Sequence, residues 1–274
     1  MKKTFPILLT VLMVLSLASV AGYMFYQKTV ASPGVPSINF ASESLDVPTN
    51  AGEEELLQGV TATDPEDGDV TASLMVEGMS RIDKDNNVKV SYVAFDSKNH
   101  MARAERTVHL IDYTDTRFSF SSALLFAASN KIDVLDRVTA TDILDGDISH
   151  KVKFSLEGDS VSINSVGEYQ VELRVTNSLG ATAHLPVTVE VTQTEPNPAK
   201  ITLDSYVLYL SKGAKFNAER HVVGYNAAGE HRTGADGLTI SGEVDTRKAG
   251  VYTVDYTYGS ADSRSRTRLI VVVE

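Results

Sequence analysis

The stretch VTATDPEDGDV, from Val60 to Val70, returns as VTATDILDGDI from Val138 to Ile148, 78 positions further on. A β-branched run that ends in an acidic bend around Gly is a strand entering a tight turn, where Gly supplies positive φ and Asp bonds its own backbone. One such unit would say little. Written twice at the spacing of a small domain, it restricts the chain to a tandem array of one β-rich fold.

The 274 residues accommodate a membrane segment and three domains of about 75 to 80 residues, each large enough to bury a modest core. There is no Cys, which excludes disulfides, a thiol nucleophile, Cys-based metal centres and lipoprotein acylation. The formal net charge of -11 argues against nucleic acid as a partner, because a phosphate backbone needs a clustered basic surface.

The chain opens Met1-Lys2-Lys3, runs uncharged from Thr4 to Tyr26, and closes that segment with Gln27-Lys28. As a helix the uncharged stretch would reach about 34 Å, enough for a bilayer core of about 30 Å. A cleaved signal peptide is the competing reading, with Leu8 to Leu17 as its apolar centre and Ser19-Val20-Ala21 as its cleavage site. The aromatic group Tyr23-Met24-Phe25-Tyr26 before Lys28 favours an uncleaved signal anchor over residues 1–28, a transmembrane helix with an interfacial belt. Lys2 and Lys3 then hold the short N-terminus inside, so the expected location is the bacterial cell membrane, single-pass, with the C-terminal domains outside the cytoplasm.

Residues 29–37, with Pro33-Gly34-Val35-Pro36, read as a stiff linker. Domain 1 is expected over 38–113, with strand signals at Ser37 to Phe40, Leu56 to Thr63, Leu74 to Glu77, Val88 to Phe95 and Arg106 to Ile111. Domain 2 follows over 114–194, where Leu124 to Ser129 hints at a helical turn. A second linker, 195–198, precedes domain 3 over 199–274, which ends on the apolar run Leu269 to Val273.

A late signature points to the architecture. Gly167-Glu168-Tyr169-Gln170-Val171 and Gly250-Val251-Tyr252-Thr253-Val254 have the Gly-x-Tyr start of the penultimate strand of an immunoglobulin-type sandwich, whose Tyr hydroxyl bonds back across a corner. Val171 and Val254 then stand where antibody domains carry a disulfide Cys. In domain 1 the pattern degrades to Asn86-Asn87-Val88-Lys89-Val90. The expected fold is all-β: three tandem immunoglobulin-like β-sandwiches after an N-terminal transmembrane helix.

With these motifs, the chain resembles bacterial immunoglobulin-like repeat domains, especially the type named after an insecticidal crystal toxin and found in tandem on surface proteins. The residues that carry it are Val60 to Val70 with Tyr92 to Asn99, then Val138 to Ile148 with Val175 to Gly180. In domain 3 it shrinks to Val244-Asp245-Thr246 and Gly250 to Val254. The resemblance implies an extracytoplasmic module for display, spacing, adhesion or protein contact.

Asp64, Glu66, Asp67 and Asp69 in one turn, and Asp142, Asp145 and Asp147 in the other, offer hard oxygens to calcium. The alternative is that Asp and Gly are simply what a tight turn selects. Catalysis finds no support. The six His lack metal-ligand spacing, no Gly-rich loop opens a helix, and Trp for sugar stacking is absent.

Residues 37–113 carry 15 acidic and 6 basic side chains, 114–195 carry 12 and 6, and 196–274 carry 9 and 10. The acidic character is therefore concentrated in the first two domains. In the third, Arg264, Arg266 and Arg268 alternate and would share one strand face, either as a solvated edge or as a ladder for an acidic partner. The expected function is a membrane-anchored, extracytoplasmic, non-enzymatic binding or scaffold protein, an accessory subunit of a cell-envelope or surface assembly. It would hold the membrane through its N-terminal helix and a protein partner in the envelope or outside the cell. The alternatives are an adhesin for a glycan or host protein, with Tyr206, Tyr209, Tyr225, Tyr256 and Tyr258 as candidate platforms, or the non-catalytic partner of a surface enzyme.

Overall fold

In the computed structural model, which describes residues 13–24, 34–128, 132–156, 163–193, 200–227, 229–259 and 265–274, each repeat becomes seven strands. The first contains β1 (Ser37–Phe40), β2 (Ser44–Val47), β3 (Val60–Asp64), β4 (Gly68–Asp69), β5 (Met75–Met79), β6 (Asn87–Phe95) and β7 (Met101–Leu110). The second contains β8 (Arg117–Phe120), β9 (Leu125–Ala127), β10 (Val138–Asp142), β11 (Gly146–Asp147), β12 (Lys153–Leu156), β13 (Gly167–Thr176) and β14 (Thr182–Thr192). The third contains β15 (Ile201–Leu203), β16 (Val207–Leu210), β17 (Val222–Ala227), β18 (Glu230–Thr233), β19 (Thr239–Ser241), β20 (Gly250–Tyr258) and β21 (Ser265–Val273).

All three repeats use one topology. A three-stranded sheet, β1-β3-β4 in the first, faces a four-stranded sheet ordered β2-β7-β6-β5, and the same order recurs in the other two. The initial strand is split between the sheets: β1 pairs antiparallel with β3, whereas β2, β9 and β16 pair parallel with the last strands β7, β14 and β21. These are immunoglobulin-like sandwiches. The third keeps this plan without the acidic turn, so the turn decorates the fold and does not define it. The chain divides into two compact units, residues 1–111 and 112–274, the second holding two sandwiches.

The period-two pattern sets the cores. In β3 and β10, Val60 and Ala62, and Val138 and Ala140, face inward while the Thr residues between them face out. Val171 and Val254 are buried in the penultimate strands, beside Leu173 and Tyr256. Both corner tyrosines do what the sequence predicts: Tyr169 donates to the Ser165 carbonyl at 2.7 Å and Tyr252 to the Lys248 carbonyl at 2.9 Å. The first repeat, lacking this Tyr, closes the corner with Asp83, whose carboxylate accepts from the Asp85 and Asn87 amides at 2.8 and 2.9 Å.

Three expectations are corrected. Leu124 to Ser129 is not a helical turn, since Leu125–Ala127 is β9, hydrogen-bonded to β14. Leu124, Leu125 and Phe126 are all buried, so the strand lacks the alternation that would have marked it. The strand expected from Leu56 begins at Val60, because Glu53–Leu56 forms a short helix in which Glu55 accepts from the Gly52 amide at 2.6 Å. Tyr113, expected at the end of domain 1, belongs to the second unit, where its hydroxyl accepts from Asn177 at 3.0 Å. Residues 13–24 are helical and exposed. Among the described residues no helix is long and apolar enough to cross a membrane, and the span expected over residues 4–26 extends outside the described residues at both ends.

Candidate functional site

The acidic turns are hairpins whose Gly68 and Gly146 adopt φ of 75° and 68°, the left-handed conformation that the sequence requires there. Strand alternation carries one step past Ala62 and Ala140, so Asp64 and Asp142 point inward and are 5% and 3% exposed. One oxygen of each organises the turn. Asp64 Oδ1 accepts from the amides of Glu66 and Asp67 at 2.8 and 3.0 Å, and Asp142 Oδ1 accepts from those of Leu144 and Asp145 at 2.9 and 3.2 Å.

The next aspartate ties each turn to the loop after the penultimate strand. Asp67 accepts from the Ser97 amide at 2.6 Å and hydroxyl at 3.0 Å, while Asp145 accepts from the Ser178 amide at 2.8 Å and hydroxyl at 2.6 Å. The Ser178 hydroxyl is the main reason the Asp145 carboxyl lies below its ordinary value, with Lys151 at 3.1 Å adding to it. Asp69 and Asp147 serve elsewhere, accepting from the Thr71 and Ser149 amides at 2.9 Å each. Glu66 is paired with the Lys98 ammonium. Of the seven carboxylates singled out from sequence, Asp64 and Asp67 pair within the first turn and Asp142 and Asp145 pair in the same way within the second.

Asp96 joins the first pair. One ligand oxygen from each of Asp64, Asp67 and Asp96 lies within 4.8 Å of the other two. Burial pushes the Asp96 carboxyl up, but the His100 amide and ring and the Lys98 amide more than offset it, so it titrates below its ordinary value. His100 Nδ1 lies 2.6 Å from Asp96 Oδ2. Asp96 belongs to the Tyr92 to Asn99 segment of the bacterial resemblance, but its sequence distance from the turn it faces hides it as a ligand.

At the end of the chain, Arg266 and Arg268 do not form a free basic face. Arg266 Nη1 lies 2.7 Å from both oxygens of Glu190, and its Nη2 lies 2.9 Å from Asp255. Arg268 Nε lies 2.7 Å from Asp255. The acidic partner sought for the ladder is this chain's own, one carboxylate from β14 and one from β20; Arg264 lies outside the described residues. Of the candidate tyrosine platforms, Tyr206, Tyr225 and Tyr256 are buried, and Tyr258 is half-buried with its ring centroid 4.7 Å from that of Tyr225. Tyr209 is half-buried, accepting from the Phe118 amide at 2.9 Å with the Arg117 guanidinium 4.9 Å from its ring.

Comparison with known proteins bears mainly on the third sandwich. A relative in Acholeplasma phage L2, an uncharacterized 81.3 kDa protein, is 33% identical over 147 residues, covering 51% of this chain and 19% of its own length. Among solved structures, the M60 catalytic domain with CBM51 domains from Clostridium perfringens ZmpB aligns at 13% identity over 88% of this chain and 31% of its own, with a TM-score of 0.23. Human CDH23 EC21-23 aligns at 12% identity over 87% of this chain and 100% of its own, with a TM-score of 0.22. At these scores neither likeness bears on function. Residues 211–270 match the family described as bacterial Ig-like domain (group 3), so the resemblance to bacterial immunoglobulin-like repeats holds in the sandwich whose sequence departs most from the other two.

Proposed function

We propose that the chain is a membrane-anchored, extracytoplasmic scaffold or binding protein, in which an apolar N-terminal segment holds immunoglobulin-like sandwiches outside the cell as part of an envelope or surface assembly. The observation that carries this reading is the repetition of one sandwich plan three times, with a bacterial Ig-like match in the third. A fold of this kind offers surfaces for contact, and function has to be read from its sites. The convergent polar groups described above support contact over catalysis, because they hold turns, loops and sandwiches together. Lys2 and Lys3 ahead of the uncharged stretch from Thr4 to Tyr26 support an anchor with its N-terminus in the cytoplasm. Burial of Tyr206, Tyr225 and Tyr256 takes three of the five candidate platform residues from the adhesin alternative.

The test is purification of the full chain from its own membranes in mild detergent, with quantitative mass spectrometry of what accompanies it. Retention in carbonate-washed membranes together with a stoichiometric envelope partner is expected. Recovery of the chain in the soluble fraction would overturn the anchor, and recovery from membranes alone would overturn the assembly role.

A further inference from the structure

The two acidic hairpins are built alike except around one buried oxygen. In the second sandwich Asp142 Oδ2 is satisfied twice, by the Thr116 hydroxyl and by Asn177 Nδ2 at 3.2 Å. The strand register places Ser37 opposite Thr63 and Arg117 opposite Thr141, so Pro36 stands where Thr116 does, with neither a hydroxyl nor an amide hydrogen to donate. The loop hydrogen bonds align in the same way: the His100 amide donates to Asp96 Oδ1, and the Ala181 amide to Asn177 Oδ1. Asp96 thus occupies the place of the Asn177 amide, and both neutral donors of the second sandwich are missing from the first.

The consequence is visible at Asp64. Its Oδ2 is buried without a hydrogen-bond partner, one of two such side-chain atoms among the described residues, the other being Arg106 Nε. A buried carboxylate oxygen facing a second carboxylate is unfavourable unless positive charge lies between them. Lys98 is engaged with Glu66 and the His100 ring with Asp96, and neither donates to Asp64 Oδ2. Gly34 stands beside the oxygen, where a Cβ would lie 3.5 Å from it, without donating to it.

We infer that the first sandwich holds one hard divalent cation between Asp64, Asp67 and Asp96, of the calcium class, and that the second sandwich has closed the equivalent position with Thr116 and Asn177. Three carboxylates from a hairpin and a loop provide part of the six to eight oxygens that calcium takes, and water completes the shell. Three carboxylates completed by water give weak binding, with an expected Kd of about 10⁻⁴ to 10⁻³ M. Of the seven carboxylates drawn from the sequence, this assignment keeps Asp64 and Asp67 and adds Asp96. It does not depend on the anchor or on any partner.

The test is calorimetric titration of the chelator-treated full chain with calcium and, separately, magnesium, repeated on Asp96→Asn, which installs the residue type found in the second sandwich. One calcium per chain is expected, with affinity reduced at least about ten-fold in a folded Asp96→Asn variant. Should that variant fail to fold, Asp67→Asn, at an exposed position, replaces it with the same expectation. No saturable binding of either ion up to about 10 mM, two ions per chain, or undiminished binding in a folded variant would each overturn the assignment.

Discussion

Glu190 is one of the side chains that join the last two sandwiches, reaching from β14 to Arg266 and Arg268 of β21. Glu190→Gln keeps the shape and removes one charge from a network of two guanidinium groups and two carboxylates, leaving two cations on Asp255. The Glu190 side chain is 14% exposed, and its partners Arg266 and Arg268 are 27% and 9% exposed. The network therefore lies between the buried limit, where breaking a pair costs about 3 to 5 kcal/mol, and the exposed limit of about 0 to 1 kcal/mol. Residual solvent access and the retained Asp255 contacts place the expected loss at about 2 to 3 kcal/mol. For a cooperative unit of this size that lowers Tm by about 4 to 12 °C. The assay is differential scanning calorimetry of the full chain and variant, repeated in about 1 M salt, which screens an exposed pair and largely spares a buried one. A shift below about 1 °C, or one abolished by salt, would refute the reasoning and reduce the network to a surface pair.

Other consequences follow from single contacts. Tyr169→Phe and Tyr252→Phe each remove one corner hydrogen bond and should cost about 1 kcal/mol in denaturant titrations. Gly242→Ala should destabilise the third sandwich by more than about 2 kcal/mol on thermal melting, because φ is +118° there and a Cβ would collide with the Thr253 carbonyl. Burial pushes the Asp255 carboxyl up, but Arg268 and Arg266 hold it below its ordinary value. Its folded pKa is therefore the lower one, so the stability it contributes is present above the unfolded pKa of about 3.9 and is lost as pH falls through the folded value. Tm measured against pH should fall more steeply below about pH 4 in the wild type than in Asp255→Asn.

What can be read from the sequence is what neighbours in the sequence determine. The hairpins are local, since Asp64 and Gly68 act within a few residues of one another, and the corner tyrosines bond carbonyls four residues upstream. Alternation from Val60 to Asp64 even carries the information that Asp64 points inward. The rest depends on chain-distant pairing. Asp96 reaches Asp64 only because the sandwich brings the loop after β6 against the β3 hairpin. The spacing of Arg266 and Arg268 reveals their common face, but not Glu190, which arrives from another sandwich. Leu124 to Ser129 resembles a helical turn in sequence because a short strand buried on both faces has no period to count.

The parallel pairing of the split first strand with the last gives each sandwich a mechanical character. In β2 with β7, β9 with β14 and β16 with β21, the second half of the split strand that enters a sandwich lies beside the strand that leaves it, running the same way. Tension applied to the two ends of a sandwich pulls such strands past each other along their length. Their hydrogen bonds, which lie across that direction, are then loaded together and not unzipped one at a time. Each repeat thus presents its patch of parallel pairing as a shear clamp between the point where force enters and the point where it leaves.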